Sequence, residues 1–282
     1  MIGMKLKEVY EYSVNELTKA GIEEAKSDAF LLFEDVFQVS KGELFLKGDE
    51  PADENLFATL KDNLKTRCKH VPVQYITGKQ DFMGLVFHVN ENVLIPRFDT
   101  EILVEEALKE MHDGFRVLDM CTGSGCILLS LMKYSNDCEG IGVDISNAAL
   151  EVATKNRDNL ELHATFIQSD LFEKVEGKFD MIVSNPPYIK SDVIPTLMEE
   201  VKDYEPLLAL DGKEDGCFFY EKIAAESPNY LYPGGMIFFE IGYDQAEAVS
   251  NLLKKAGFAD IKVVKDYAGL DRVVIGTFIG GN

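Results

Sequence analysis

Phe115-Arg116-Val117-Leu118-Asp119-Met120-Cys121-Thr122-Gly123-Ser124-Gly125-Cys126-Ile127-Leu128-Leu129 decides the fold. Phe115 to Asp119 reads as a short buried strand, Thr122 to Gly125 as a turn, and Cys126 to Lys133 as a helix start. Together they read as a nucleotide loop: glycines let backbone approach a ligand closely, and a helix N-terminus leaves free N–H donors. A dinucleotide fingerprint requires a third glycine at position 128, which is Leu128 here, so a pyrophosphate ligand loses support.

Asp119 argues the same way, because a carboxylate at a strand end repels pyrophosphate and suits the ammonium end of a methionine-derived cofactor. A second strand, Gly140 to Val143, ends at Asp144, about twenty residues past the loop, where such folds place the acid that holds ribose hydroxyls. A third apolar stretch, Ala164 to Ile167, leads to Asp170, a partner for an adenine amino group, and Leu171, which can pack on its ring. A fourth, Met181 to Val183, runs into Asn185. In an open parallel sheet ligands lie beyond the carboxyl ends of the strands, so these tips should meet in one crevice. The plainer reading of each Asp alone is a helix cap, since Asp144-Ile145-Ser146 precedes a helix from Asn147 to Asn156.

Asn185-Pro186-Pro187-Tyr188 carries the chemistry. An amide or exocyclic amino nitrogen is a poor nucleophile because its lone pair is delocalised, so a site that alkylates it needs acceptors for its hydrogens. Asn before Pro is pushed towards extended angles, and two prolines fix φ without supplying N–H donors. The Asn185 side-chain oxygen and the Pro186 carbonyl can then accept both hydrogens of an NH₂ group, while the Tyr188 ring can stack on its plane. A Pro-rich turn is the competing reading of this tetrapeptide alone.

The first 79 residues show helical periodicity, with Leu6, Val9, Tyr10 and Leu17, then Phe30 to Phe37, then Leu56, Leu60 and Leu64, and read as a small bundle over 1–79. Alternation from Phe82 to Leu94 with a turn at Asn90-Glu91-Asn92 reads as a β-hairpin linker over 80–95. The remaining 96–282 read as the catalytic domain, closed by a strand from Met236 to Glu240 after a Pro233-Gly234-Gly235 turn, a helix to Lys255, and strands near Ile261 to Val264 and Arg272 to Gly276. Glu240 reads equally as a pocket residue or a cap. The formal net charge of −21 argues against a nucleic-acid partner, whose phosphates are held by Lys and Arg, and favours a protein. Five cysteines without paired spacing and four scattered histidines predict no disulfide and no metal. The absence of a leader or a long apolar run predicts a cytoplasmic protein free of membranes, and a monomer is expected.

The chain resembles the bacterial peptide chain release factor N5-glutamine methyltransferases. The resemblance rests on Pro72-Val73-Gln74-Tyr75-Ile76, Leu94-Ile95-Pro96-Arg97, Thr100-Glu101, Thr122 to Gly125, Asn185 to Ile189, Glu205-Pro206, Asp215-Gly216 and Glu240-Ile241-Gly242. It implies an α/β fold with the Rossmann-like, seven-stranded sheet of class I S-adenosylmethionine-dependent methyltransferases. It further implies S-adenosyl-L-methionine as donor, held by Thr122, Gly123, Ser124, Gly125 and Asp144, to which the reading of the strand tips adds Asp119, Cys121, Asp170, Leu171 and Asn185. The acceptor is then the glutamine of the Gly-Gly-Gln motif of class I release factors, engaged by Asn185, Pro186, Pro187 and Tyr188. The family places Arg97 to Glu101 near the site's mouth, and the bundle's position suggests that it helps hold the release factor. Two positions depart from the family pattern: Cys121 replaces the usual glycine, and Phe98 the usual proline, from which it can pack near the methionine moiety. An N6-adenine or small-molecule amino methyltransferase shares the Asn-Pro-Pro-Tyr chemistry, and a non-catalytic nucleotide-binding module is the third alternative.

Overall fold

The computed structural model describes residues 4–280 and divides the chain into two units. One comprises the residues up to Lys79 together with Met198–Tyr204; the other comprises Gln80–Leu197 and the chain from Glu205 onward.

In the first unit, α1 (Leu6–Lys19), α2 (Ala25–Phe37), α3 (Lys41–Lys47), α4 (Glu54–Arg67) and α5 (Val73–Thr77) follow the apolar periodicity. Leu6, Val9, Leu17, Phe33, Leu60 and Leu64 are buried in one cluster, each such side chain contributing roughly 1.5–3 kcal/mol, whereas Leu31 and Leu56 remain partly exposed. Ser40 and Glu43 form a reciprocal capping box at α3, and Asp53 caps α4. Buried Arg67 reaches Asp28 Oδ2 at 2.7 Å and Glu200 Oε2 at 2.6 Å, and the Tyr204 hydroxyl donates to the Lys69 carbonyl at 2.6 Å. These bonds explain why a segment so distant in sequence belongs to the helical unit.

In the second unit, β1 (Lys79–Phe82) and β2 (Leu85–His88) form a hairpin. Its turn is Met83-Gly84, with φ of +51° and +70°, the pair of positive angles a two-residue hairpin turn demands. The predicted turn at Asn90 to Asn92 exists but lies beyond the hairpin, closed by Val93 N–H donating to the Asn90 carbonyl at 3.2 Å. Nor is the hairpin a separate linker: Phe82 and Phe87 are buried in the same cluster as Leu103 and Val117.

The unit continues through α6 (Phe98–Glu110), β3 (Arg116–Met120), α7 (Cys126–Tyr134), β4 (Glu139–Asp144), α8 (Asn147–Asn159), β5 (Thr165–Gln168) and β6 (Phe179–Ser184). The short α9 (Glu199–Lys202) falls in the first unit, and α10 (Leu207–Leu210), α11 (Phe218–Glu226), β7 (Leu231–Glu240), α12 (Ala246–Lys255), β8 (Phe258–Lys265) and β9 (Asp271–Phe278) complete the second. The sheet order is β5-β4-β3-β6-β7-β9-β8, parallel except for β9, which runs antiparallel between β7 and β8. This is the seven-stranded Rossmann-like α/β fold expected from the sequence. Pro233-Gly234-Gly235 does not precede the strand as predicted but lies within β7, where the register with β6 shifts.

Apolar residues on both pleats are buried. Leu118, Ile182, Ile237 and Phe239 face the cluster containing Ile223 of α11 and Val249 of α12, while Val117, Met181, Val183 and Phe238 face that of α6 and α7. Helices on both faces account for the unbroken apolar runs. The strand order turns back between β3 and β6, which places a crevice beyond their carboxyl ends.

Candidate active site

The two strands at this switch point are tied at their tips. Met120 pairs with Ser184 in parallel register, and Ser184 Oγ donates to the Met120 carbonyl at 2.6 Å. Cys121 and Asn185 follow directly, so the glycine turn and the Asn-Pro-Pro segment start side by side.

The turn coils through positive φ at Cys121, Gly123 and Gly125, with Thr122 N–H donating to the Val143 carbonyl at 2.9 Å. At Gly125, φ +77°, a Cβ would lie 3.2 Å from Ala153 Cβ, Leu129 Cδ1 and Phe166 Cζ alike. Glycine is required there by both backbone angle and packing. Asp144 Oδ2 accepts from Gly123 N–H at 2.9 Å and Oδ1 from Ser146 N–H at 2.9 Å. The cap of α8 is Ser146, whose hydroxyl accepts from Ala149 N–H, so the plainer reading of Asp144 as the helix cap does not hold. Each carboxylate oxygen keeps a lone pair for a further donor.

One cavity is walled by Cys121, Thr122, Gly123, Ser124, Asp144, Asp170, Leu171, Asn185 and Pro187. Nine sequence-predicted residues from four strand tips thus meet. Their chemistry fits an adenosine bearing an amino-acid tail: two carboxylates for hydroxyl and amino donors, Ile145 and Leu171 for a base, and open space at Gly123, where a Cβ would meet nothing within 4 Å.

The matched families are described as PrmC N-terminal domain, over residues 8–78, and methyltransferase small domain, over residues 97–203. The release factor glutamine methyltransferase of Clostridium acetobutylicum is 44% identical over 279 residues, covering 96% of this chain and 98% of that protein. The chain belongs to the release factor glutamine methyltransferase family. The Geobacter sulfurreducens relative of the same name is 38% identical over 272 residues, 96% of each chain. A crystal structure of a methyltransferase from Pyrococcus furiosus, 21% identical, aligns with a TM-score of 0.54 over 81% of this chain and all of that one, a likeness of fold.

Within this family frame five predicted residues sit elsewhere than expected. Asp119 is fully buried beneath the turn, off the cavity wall, where its Oδ2 accepts from Thr122 Oγ1 at 2.6 Å. It braces the turn from below rather than facing an ammonium group. Burial pushes its carboxyl up to about 7, against the lowering pull of Thr122. Tyr188 does not present its ring to the cavity: it packs on the core, its hydroxyl donates to Glu240 Oε1 at 3.3 Å, and burial raises its pKa above the ordinary phenol value. Gly216 lies against its backbone, where a Cβ would come 2.5 Å from the Tyr188 carbonyl oxygen. Gly125 and Pro186 support the wall without lining it. Phe98 is exposed and off the wall, so it does not pack where the methionine moiety was expected. Cys121 lines the cavity at φ +63°, an angle that accounts for glycine as the family's usual choice.

Three residues were missed or left open. Arg97, on the wall, pairs with the buried carboxylate of Glu205, so it holds an internal acid. Thr100, expected near the site's mouth from the family resemblance, lies on the cavity wall with its Oγ1 3.4 Å from Asn185 Nδ2. Glu240 neither lines the cavity nor caps: it is buried, and burial pushes its carboxyl up to about 7 despite Thr100, Arg272 and Tyr188. All three lie in motifs on which the resemblance rests, Leu94 to Arg97, Thr100-Glu101 and Glu240 to Gly242, but those motifs did not specify contacts.

Proposed function

We propose that this enzyme transfers a methyl group from S-adenosyl-L-methionine to the side-chain amide nitrogen, N5, of the glutamine in the Gly-Gly-Gln motif of class I peptide chain release factors. The observation that carries the reading is the position of Asn185, beside the glycine turn on the wall of one cavity, with its Nδ2 engaged by Thr100. That engagement turns the carboxamide oxygen to the other side, where it accepts one N–H of the substrate amide. The backbone carbonyl of Pro186, between the wall residues Asn185 and Pro187, accepts the other. Fixing both hydrogens aligns the nitrogen and stabilises the positive charge that grows on it during attack.

The bound S-adenosyl-L-methionine supplies a methyl carbon activated by its positive sulfur. Asp144 and Asp170 are placed to hold hydroxyl and amino donors, Leu171 to cover a base, and the Cys121–Gly125 turn to approach the amino-acid tail. As the N–C bond forms the C–S bond breaks, its electrons neutralising the sulfonium, and the amide nitrogen then sheds one proton to water. Late loss of that proton removes the need for a strong base, so alignment and exclusion of water supply most of the acceleration.

The partner is a class I release factor, bound by a monomeric enzyme acting in the cytoplasm without direct nucleic-acid contact; the helical unit helps hold it. In support, the net charge is −21, and among the described residues no helix is long and apolar enough to cross a membrane. Amino methylation of adenine or a small molecule is not favoured, since relatives matching 96% of the chain carry the glutamine methyltransferase name. The test is incubation with isotopically labelled S-adenosyl-L-methionine and purified release factor, followed by mass spectrometry of the modified residue. Label on the Gly-Gly-Gln glutamine is expected; label on DNA or on another side chain overturns the reading.

A further inference from the structure

Asn185 has a buried hydroxyl beside it, on Thr100. Asn185 Nδ2 lies 3.4 Å from Thr100 Oγ1, and the Tyr188 hydroxyl donates to Glu240 Oε1 at 3.3 Å. Thr100 and Glu240 are each 2% exposed. Among the described residues Glu240 Oε2 has no partner within hydrogen-bonding distance. Glu240 itself is fixed, its carbonyl accepting from the Tyr220 hydroxyl at 2.7 Å and its strand pairing with β9.

The direction of these bonds follows from what each group can do. A threonine hydroxyl has one proton and two lone pairs, so it can accept as well as donate. Thr100 Oγ1 lies 3.4 Å from Asn185 Nδ2 and faces it with a lone pair, which matches an NH₂ and repels an amide oxygen. The two ends of an asparagine carboxamide are alike in shape, so such a neighbour decides which end faces where. The reverse orientation would present a donor to the substrate's NH₂ and abolish the acceptor.

We propose that Thr100 is a positioning residue: its hydroxyl oxygen accepts from Asn185 Nδ2 and holds the carboxamide with the oxygen turned to the substrate amide. This inference rests on Asn185 being the acceptor described above.

Four variants test it: Asn185→Ala, Thr100→Val, Thr100→Ser and the double variant Asn185→Ala/Thr100→Val. Each is assayed on whole release factor with kcat and both KM values resolved, and checked for folding by thermal melting. Valine keeps the shape of threonine and removes the hydroxyl. The expected result is a fall in kcat of about 10-fold for Thr100→Val, with KM for S-adenosyl-L-methionine within about 2-fold of wild type. Thr100→Ser should recover most of the rate, and the double variant should be no slower than Asn185→Ala alone. Wild-type kcat in Thr100→Val beside an impaired Asn185→Ala overturns the inference and leaves the acceptor reading standing, as does a loss of equal size in both backgrounds. Failure of serine to recover the rate also overturns it. Unimpaired Asn185→Ala removes the acceptor reading and this inference with it.

Discussion

Ser184 Oγ donates to the Met120 carbonyl at 2.6 Å, across a parallel pair whose next residues are Asn185 and Cys121. One buried hydroxyl thus sets the spacing between the strand that leads to the methyl donor's turn and the strand that leads to the acceptor. Both residues are fully buried, so the bond is made away from water. Replacing Ser184 by Ala removes that donor and should cost about 1–2 kcal/mol in urea unfolding. Affinity for S-adenosyl-L-methionine, measured by calorimetry, should weaken several-fold; unchanged affinity would show that the two tips hold their spacing without it.

Gly125→Ala puts a methyl group among Ala153, Leu129 and Phe166 at an angle that L-residues rarely adopt. A stability loss of about 1–3 kcal/mol is expected, with loss of most S-adenosyl-L-methionine binding because the turn must open to make room. Calorimetric titration of the folded variant reads this directly, and wild-type affinity contradicts it.

Arg67→Ala leaves Asp28 and Glu200 without their shared counter-charge. Asp28 is 6% exposed, and burial already raises its carboxyl above the ordinary value despite Arg67. Removing one partner of such a buried pair costs roughly 3–5 kcal/mol, so a large fall in melting temperature is expected. Asp28→Asn in the Arg67→Ala background should recover part of the loss, and its failure to do so would mean that the damage is lost packing.

Asp119 makes stability depend on pH in a definite direction. Its carboxyl is raised from 3.8 to about 7, so between these values the folded protein keeps a proton that the unfolded chain has released. Its stabilising contribution is full below about pH 4, declines as pH rises, and is gone above about 7. Asp119→Asn has no such proton. Between pH 5 and pH 8 the wild type should therefore lose on the order of 2–3 kcal/mol relative to the variant in urea unfolding. Parallel pH profiles for the two proteins would rule this out.

Local periodicity was enough to read the sheet, since alternation, apolar runs and glycine turns act within a few residues of chain. By itself the sequence determined the order of strand tips, the glycine turn after β3, the acid after β4 and the Asn-Pro-Pro segment after β6, and therefore the crevice in which they meet. Tertiary structure alone decided which groups face that crevice. Asp119 was drawn beneath the turn by Thr122, Tyr188 inward by Glu240, and Met198–Tyr204 into the helical unit by Arg67. Thr100 meets Asn185 from 85 residues away, Arg97 meets Glu205 from 108, and Arg67 meets Glu200 from 133. Apart from the short Asp119–Thr122 contact, no local pattern encodes such pairs: a side chain's direction is settled by the burial and hydrogen-bonding needs of whatever the folded chain places beside it.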